Sequence, residues 1–386
     1  MSSTRSLRKA LAALAMLSAC ATAAAEGCLV PGQWSLPGEP APRATDATQV
    51  AASAGEAQYV LLGENHDQAD HHRWQLHTLG MLLAARGKLV IGLEMLPRRA
   101  QPALDRWVAG ELTEAELLRE TRWNKVWGYD ADLYLPILHF ARLHRLPLVA
   151  LNVDRSLTRE VGANGWAAIA EEQREGVSDP APATPAYRAL LRRWFEEHPK
   201  EAGRADPAGF DRFVEAQLLW DRAFAEALFQ ASARQPGALV VGIIGSGHLR
   251  GGHGVSRQLA ALGAKRIKVW LPVASATPCN QIEAGLADAV FAIESRVAAA
   301  TPRLGVVLDE EQNGPRVREV VAGSVADRAG VQRGDRLLSA AGSRIASAAD
   351  LISALKKQPP GTWLPLKVER SGRELDLVAK FPAASE

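Results

Sequence analysis

Five short apolar runs, each closed by turn formers or polar residues, set the frame of the first 270 or so residues. They are Tyr59–Leu62, Leu89–Leu93, Leu146–Leu151, Leu239–Ile244 and Ile267–Leu271. Apolar runs this short, rich in Val, Ile and Leu, read as strands buried on both faces. Helical spacing fills the intervals at Asp70–Arg86, Gln101–Val108, Leu133–Leu143, Tyr187–Phe195 and Phe210–Phe229, while the proline-rich stretch Val177–Pro185 reads as a loop. Strands alternating with helices predict an α/β fold with a mainly parallel sheet covered by helices on both faces.

At 386 residues the chain exceeds what a single core usually supports, so more than one domain is expected. Its 45 basic and 43 acidic side chains are interspersed along the chain. That balance leaves no basic footprint for nucleic acid, and nucleic-acid binding is set aside. The pattern changes after about Ser295. Arg303–Phe381 reads as short strands and one helix, with turns at Asn313-Gly314, Gly334-Asp335 and Pro360-Gly361. Leu304-Gly305-Val306-Val307, then Ala322-Gly323-Ser324-Val325-Ala326 and Ala329-Gly330-Val331-Gln332-Arg333-Gly334-Asp335, resemble a PDZ domain of the bacterial HtrA type. The resemblance implies a small β-rich domain that adds a peptide as a strand and captures its C-terminus on backbone N–H groups. Gly305 and Val306 would form that capture loop, with Leu351 and Leu355 lining the groove.

The N-terminus carries an export pattern: Arg5, Arg8 and Lys9, an apolar run from Ala10 to Met16, then Leu17-Ser18-Ala19-Cys20. The run is too short to span a bilayer. The ending resembles a lipobox, which implies lipidation of Cys20 and a place on the periplasmic face of the outer membrane. Cleavage after Ala25, giving a soluble periplasmic protein, is the alternative. Cys28 and Cys279 remain, in a compartment that oxidises thiols, and are expected to pair. The expected layout is a signal peptide at 1–25, an α/β domain at 26–298 and the PDZ domain at 299–383.

Polar residues fall where the strands end: Gly63-Glu64-Asn65-His66, then Glu94, Asn152 and Gly245-Ser246-Gly247-His248. Open α/β sheets bind ligands outside the carboxyl ends of their strands. Glu64, His66, Glu94 and His248 are therefore expected to share one pocket. On the helix Phe210–Phe229, Gln217 and Asp221 interrupt an apolar stripe. They must either meet the strand-end histidines or cap loop backbone, because burying them unpaired is costly. His72 is placed to approach His66, whereas His71 and His77 are expected to face outward. His253 lies on a glycine-rich loop just past His248.

Leu-Gly-Glu-Asn-His-Asp, Gly-Leu-Glu-Met, Trp127-Gly128-Tyr129, Leu151-Asn152, Ala216–Asp221 and Gly-Ser-Gly-His, in that order, resemble the ChaN-like haem-binding lipoprotein family, related to the Tiki and TraB group. The resemblance implies haem or iron uptake, a dimer, and a tyrosine ligand to the iron. Tyr129, Tyr134 and His253 are the ligand candidates. No Cys-x-x-Cys-His occurs, which excludes c-type attachment. The Tiki and TraB likeness implies a second reading: a hydrolase with Glu64 and Glu94 catalytic and with Zn, Mn or Fe held by His66, Glu94 and His248. Under either reading the PDZ domain would recruit a protein partner.

Overall fold

The computed structural model describes residues 28–197, 207–294, 302–311 and 313–383. The export segment and Cys20 lie outside the described residues. Contacts divide the chain into two compact units that meet near residue 295.

The first unit is built on eight strands: β1 (Trp34–Leu36), β2 (Arg43–Thr45), β3 (Tyr59–Glu64), β4 (Leu89–Pro97), β5 (Leu148–Asn152), β6 (Leu239–Gly245), β7 (Ile267–Ala274) and β8 (Ala289–Ile293). They form one sheet in the order β2-β1-β8-β7-β3-β6-β4-β5. From β8 to β5 all pairs are parallel; only the edge pairs β1–β2 and β1–β8 are antiparallel. The five apolar runs are thus the contiguous parallel strands β7, β3, β6, β4 and β5, the last at the sheet's edge. The sequence reading missed β1, β2 and β8, the first two because three residues give too little alternation to detect.

Alternate side chains of the buried strands enter opposite cores, as pleating requires. Val60, Leu62, Ile91 and Val241 join Leu79, Leu104, Trp107 and Leu138 of the helices Ala69–Arg86, Gln101–Ala109 and Leu135–Leu143. Tyr59, Leu61, Val90 and Val240 join Phe224 and Leu228 of the long helix Pro207–Arg234, with Val161 and Leu259. Two consequences place the site. The chain leaves β3 and returns at β4, and β6 later inserts between them. Glu64 and Gly245 therefore end neighbouring strands in register, and Glu94 follows the last β4–β6 pair, Leu93–Ile243, on the third.

The second unit has strands β9 (Val306–Asp309), β10 (Arg316–Val320), β11 (Arg336–Ala340), β12 (Ser343–Arg344), β13 (Trp363–Arg370) and β14 (Arg373–Lys380). All pairs are antiparallel, in the order β14-β13-β11-β10-β9, with β12 on β11. Asp335, in the Gly-Asp turn, is fully buried and bonds Arg370 twice at 2.7 Å. Burial pushes its carboxyl up, but Arg370 and the Gln332 N–H outweigh that and hold it below the usual range.

Cys28 and Cys279 form a disulfide, with Cα atoms 5.5 Å apart. It ties the segment before β1 to the β7–β8 connection across a sequence separation of 251. A loop that long stabilises by up to about 5 kcal/mol in the chain-entropy model. Cys28→Ser should lower unfolding stability of this unit by several kcal/mol in urea melts and leave the second unit's transition in place; coincident wild-type and variant melts would contradict that.

Candidate functional site

Beyond the carboxyl ends of β3, β6, β4 and β5 lies a cavity of about 450 Å³. His66, Glu94, Asn152 and His248 line it from the strand ends, and Trp127, Tyr129 and Trp220 add aromatic walls. The expected gathering of His66, Glu94 and His248 is therefore observed. Glu64 does not line the cavity. It sits one layer behind, 2% exposed, as the anchor of His66.

Each histidine is held through one ring nitrogen by a buried carboxylate that a buried tyrosine also holds. Glu64 Oε1 lies 2.8 Å from His66 Nδ1 and accepts from the Tyr134 hydroxyl at 2.7 Å. Its other oxygen accepts from Gln75 Nε2 at 3.0 Å, and His72 Nδ1 is 3.4 Å away. On the opposite side of the sheet, Asp221 Oδ1 lies 2.7 Å from His248 Nδ1, and Asp221 Oδ2 accepts from the Tyr187 hydroxyl at 2.7 Å. Two Tyr–carboxylate–imidazole chains thus converge on the cavity, one from each helical layer. Such pairing fixes ring orientation and leaves Nε2 as the working nitrogen.

Glycine at 245 is required by close approach. A Cβ there would stand 2.9 Å from His66 Cε1, 3.3 Å from His66 Nε2 and 3.4 Å from Glu94 Oε2. The Gly245 N–H donates to Glu94 Oε2. The missing side chain is what lets the imidazole and the second carboxylate share the end of β6. Gly254 is similar, since a Cβ would fall 2.7 Å from Asp221 Oδ1.

The electrostatics follow from burial against these pairings. Burial pushes Glu64 up, but the bond from His66 and the nearby imidazoles outweigh it, and its carboxyl is held low. Glu94, wholly buried with one short N–H bond, is pushed up by burial, partly offset by His248 and His66. Burial lowers His66 and His248, yet Glu64 and Asp221 respectively, with Glu94 acting on both, raise each above the ordinary imidazole value. The cavity floor therefore favours charge on the two imidazoles and disfavours it on the Glu94 carboxyl.

The structure separates the three candidate haem ligands. Tyr129 is 39% exposed on the cavity, its ring 5.2 Å from His66 and 5.3 Å from Trp127. Arg122 and Gly128, both at positive φ (54° and 84°), shape this turn, and Trp123 Nε1 pins the Tyr129 carbonyl at 2.8 Å. Tyr134 is 2% exposed, its hydroxyl committed to Glu64, and burial with the Glu64 charge pushes the phenol up. It supports His66 and faces no ligand space. His253 stacks on Tyr187 at 5.9 Å and lines a separate hollow with Thr184 and Ser256.

Of the supporting residues, Asn152 donates to the Glu94 carbonyl at 2.9 Å and lines the cavity. His72 is buried, with Nε2 3.2 Å from the His66 carbonyl. Asp221 meets a strand-end histidine, but Gln217 is only half-buried and does not reach the cavity. His71 corrects the outward placement. It is partly buried, accepts from the Asn65 N–H at 2.9 Å, and burial lowers it to about 4. Among the described residues no group of three or more His, Cys, Asp or Glu is arranged to hold a metal ion. His66, Glu94 and His248 line one cavity without forming such a group.

A model of the family described as haem-binding uptake, Tiki superfamily, ChaN matches residues 50–259. That is more than half of the chain. The protein belongs to the ChaN family. A PDZ family model matches residues 302–380. Among solved structures, ChaN of Campylobacter jejuni, described with cofacial haem binding, is 18% identical and superposes with a TM-score of 0.52. The match covers 67% of this chain and 96% of that one, and at this identity it shows the shared fold. The HtrA3 PDZ domain bound to a phage-derived peptide is 23% identical over 20% of this chain and 82% of its own, with a TM-score of 0.19. A search of curated proteins found no match.

This ChaN-family cavity fits a porphyrin in the chemistry of its lining. Trp127, Trp220 and Tyr129 offer flat apolar faces. Tyr129, His66 and His248 are the phenol and imidazoles of the same lining. In the PDZ unit, a groove of about 700 Å³ runs between Gly305–Leu308 and the helix Ala348–Lys356. Gly305, Val306, Leu351 and Leu355 line it, as does Ile352, half-exposed and missed in the sequence. β9 is an edge strand, so its outer N–H and C=O groups are free to pair with a peptide.

Asp221→Asn removes the hydrogen-bonded carboxylate that raises His248, leaving Glu94 alone against burial. The His248 titration should move down from its raised position when followed by NMR. In the wild type, the stabilisation from protonated His248 is present below 6.5 and lost as pH rises through the raised value. An unmoved His248 in Asp221→Asn would contradict the pairing.

Proposed function

We propose that the chain binds haem or an iron-porphyrin in the strand-end cavity, with Tyr129 as the iron ligand, and that its PDZ unit recruits a protein by its C-terminus. The observation that carries the first part is the lone accessible tyrosine on an aromatic-walled cavity. Tyr129 is exposed there, whereas Tyr59, Tyr134 and Tyr187 are sealed in the cores. Membership of a family described as haem-binding uptake, and the cofacial haem of the Campylobacter jejuni relative, support the same ligand. A dimer that sandwiches haem between two copies follows the same analogy. The Leu17-Ser18-Ala19-Cys20 ending supports a lipid anchor at Cys20, on the periplasmic face of the outer membrane. The disulfide fits an oxidising compartment.

Hemin added to the purified protein should give a saturable Soret band. Tyr129→Phe should weaken binding at least roughly tenfold, a loss of about 1.4 kcal/mol. Tyr134→Phe should leave affinity nearly intact and lower stability by about 1–2 kcal/mol through the lost bond to Glu64. Equal hemin affinity in wild type and Tyr129→Phe overturns the ligand assignment.

For the PDZ unit, fluorescence anisotropy with labelled apolar peptides should show binding that needs a free C-terminal carboxylate. Ile352→Glu places a charge on the exposed groove wall and should weaken capture roughly tenfold without lowering the melting temperature. Equal binding of amidated peptides would contradict the assignment.

A further inference from the structure

Strands β2, β5, β9 and β14 stand at the ends of the two sheets, where backbone N–H and C=O groups are open to another chain. Three of these edges are accounted for. β2 is only three residues long. On β5 the Gln101 side chain closes the edge, donating to the Leu148 carbonyl at 2.8 Å and accepting from the Ala150 N–H at 2.9 Å. β9 faces the peptide groove. β14 remains, eight residues long, and among the described residues no backbone group pairs with its outer edge.

The hairpin fixes which groups point outward. β13 and β14 join through Ser371-Gly372, both at positive φ (51° and 75°), a two-residue turn that closes on the hydrogen-bonded pair Arg370–Arg373. Antiparallel alternation then turns the N–H and C=O of Leu375, Leu377 and Ala379 to β13, and those of Glu374, Asp376, Val378 and Lys380 outward. The Phe381 N–H, donating to the Thr362 carbonyl at 2.9 Å, keeps the same phase. The side chains of the four outward residues are all exposed. Val378, 43% exposed, lies opposite Pro365, and Asp376 lies opposite Lys367, 3.1 Å away. Lys380 lies opposite Trp363, 64% exposed, with its ammonium 4.6 Å from the indole centroid. Along β14 this face runs anion, apolar, cation, an order that complements itself when the strand is reversed.

We propose that β14 pairs antiparallel with β14 of a second copy of this chain, about a two-fold axis at Val378, joining two PDZ sheets into one. In that register Val378 meets its own counterpart, and Asp376 of each copy meets Lys380 of the other. All of these are residues whose backbone groups point outward, so the ladder hydrogen bonds form. The apolar row of Pro365 and Val378 continues into the same row of the second copy. Each Asp376 then sits between Lys367 of its own chain and Lys380 of the other. An axis at Asp376 would oppose two carboxylates, and an axis at Leu377 or Ala379 would set Val378 against a charge, so the side chains select one register. One strand from each copy buries less than the roughly 1,200 Å² of stable complexes, so monomer and dimer should exchange with concentration. The pairing needs neither haem nor a bound peptide and so goes beyond both parts of the function proposed above.

Sedimentation velocity of the full chain without haem, over a concentration series, should show monomer passing into dimer. Lys380→Glu and Asp376→Lys each oppose like charges in both cross-copy pairs and should weaken self-association at least roughly tenfold. Both positions are exposed, so the melts of these variants should match wild type. An equimolar mixture of the two restores opposite charges in both pairs and should dimerise as wild type does. In a Cys20→Ser background, Val378→Cys should cross-link to its counterpart under mild oxidation, because Cα atoms of a hydrogen-bonded antiparallel pair lie about 5.5 Å apart, within disulfide reach. Glu374→Cys, far from its counterpart in this register, should not. A chain that stays monomeric, a dimer indifferent to both reversals, a mixture no tighter than its components, or equal cross-linking at 374 and 378 overturns the pairing. A dimer that forms only with hemin also overturns it, and leaves the haem and peptide readings standing.

Discussion

Glu64 is the charge around which the first unit is organised. It ends a central parallel strand, fully enclosed, where an unpaired carboxylate would cost several kcal/mol. Four side chains from three directions prevent that: His66 two residues on, Tyr134 from beyond β4, and Gln75 and His72 from the helix packed on the sheet. Satisfying the carboxylate fixes the His66 ring over Gly245, and glycine there gives the ring room. Asp221 repeats the device from the other helical layer for His248, so both imidazoles reach the cavity as positioned, charge-favouring groups.

Much of this was legible in the sequence because parallel strands and their ends are local signals. Each strand from β3 to β7 is a continuous apolar run, and each polar residue directly after one had to fall at the carboxyl edge. That logic reached His66, Glu94, Asn152 and His248. It could not tell a lining residue from its support. Glu64 and Glu94 look alike in sequence, yet β3 turns its last side chain inward to Tyr134 while Glu94 faces the cavity. The same limit applies to Tyr129 and Tyr134, five residues apart, one exposed and one sealed. His253 was misleading because its glycine-rich loop lies close to His248 along the chain, but its ring turns to Tyr187. Trp220 carried no signal of its own, since a half-buried tryptophan on a helix reads alike in sequence whether it lines a cavity or only packs on the core.

The two units combine different ways of holding a ligand. The α/β unit sets rigid side chains at strand ends, supported by buried pairs. The PDZ unit offers an unpaired strand edge, and Asp335 with Arg370 braces the turn that leads into the next strand of its sheet. A strand-end cavity of the ChaN family and a PDZ groove thus put ligand binding and peptide recognition on separate units of one chain.

A crystal structure of the hemin-loaded protein bears most directly on this account. It should show the porphyrin at the carboxyl ends of β3, β6 and β4, with the Tyr129 oxygen on the iron and both His66 and His248 still paired to their carboxylates. Porphyrin seated elsewhere, for instance beside His253, with the strand-end cavity holding only solvent, would contradict it.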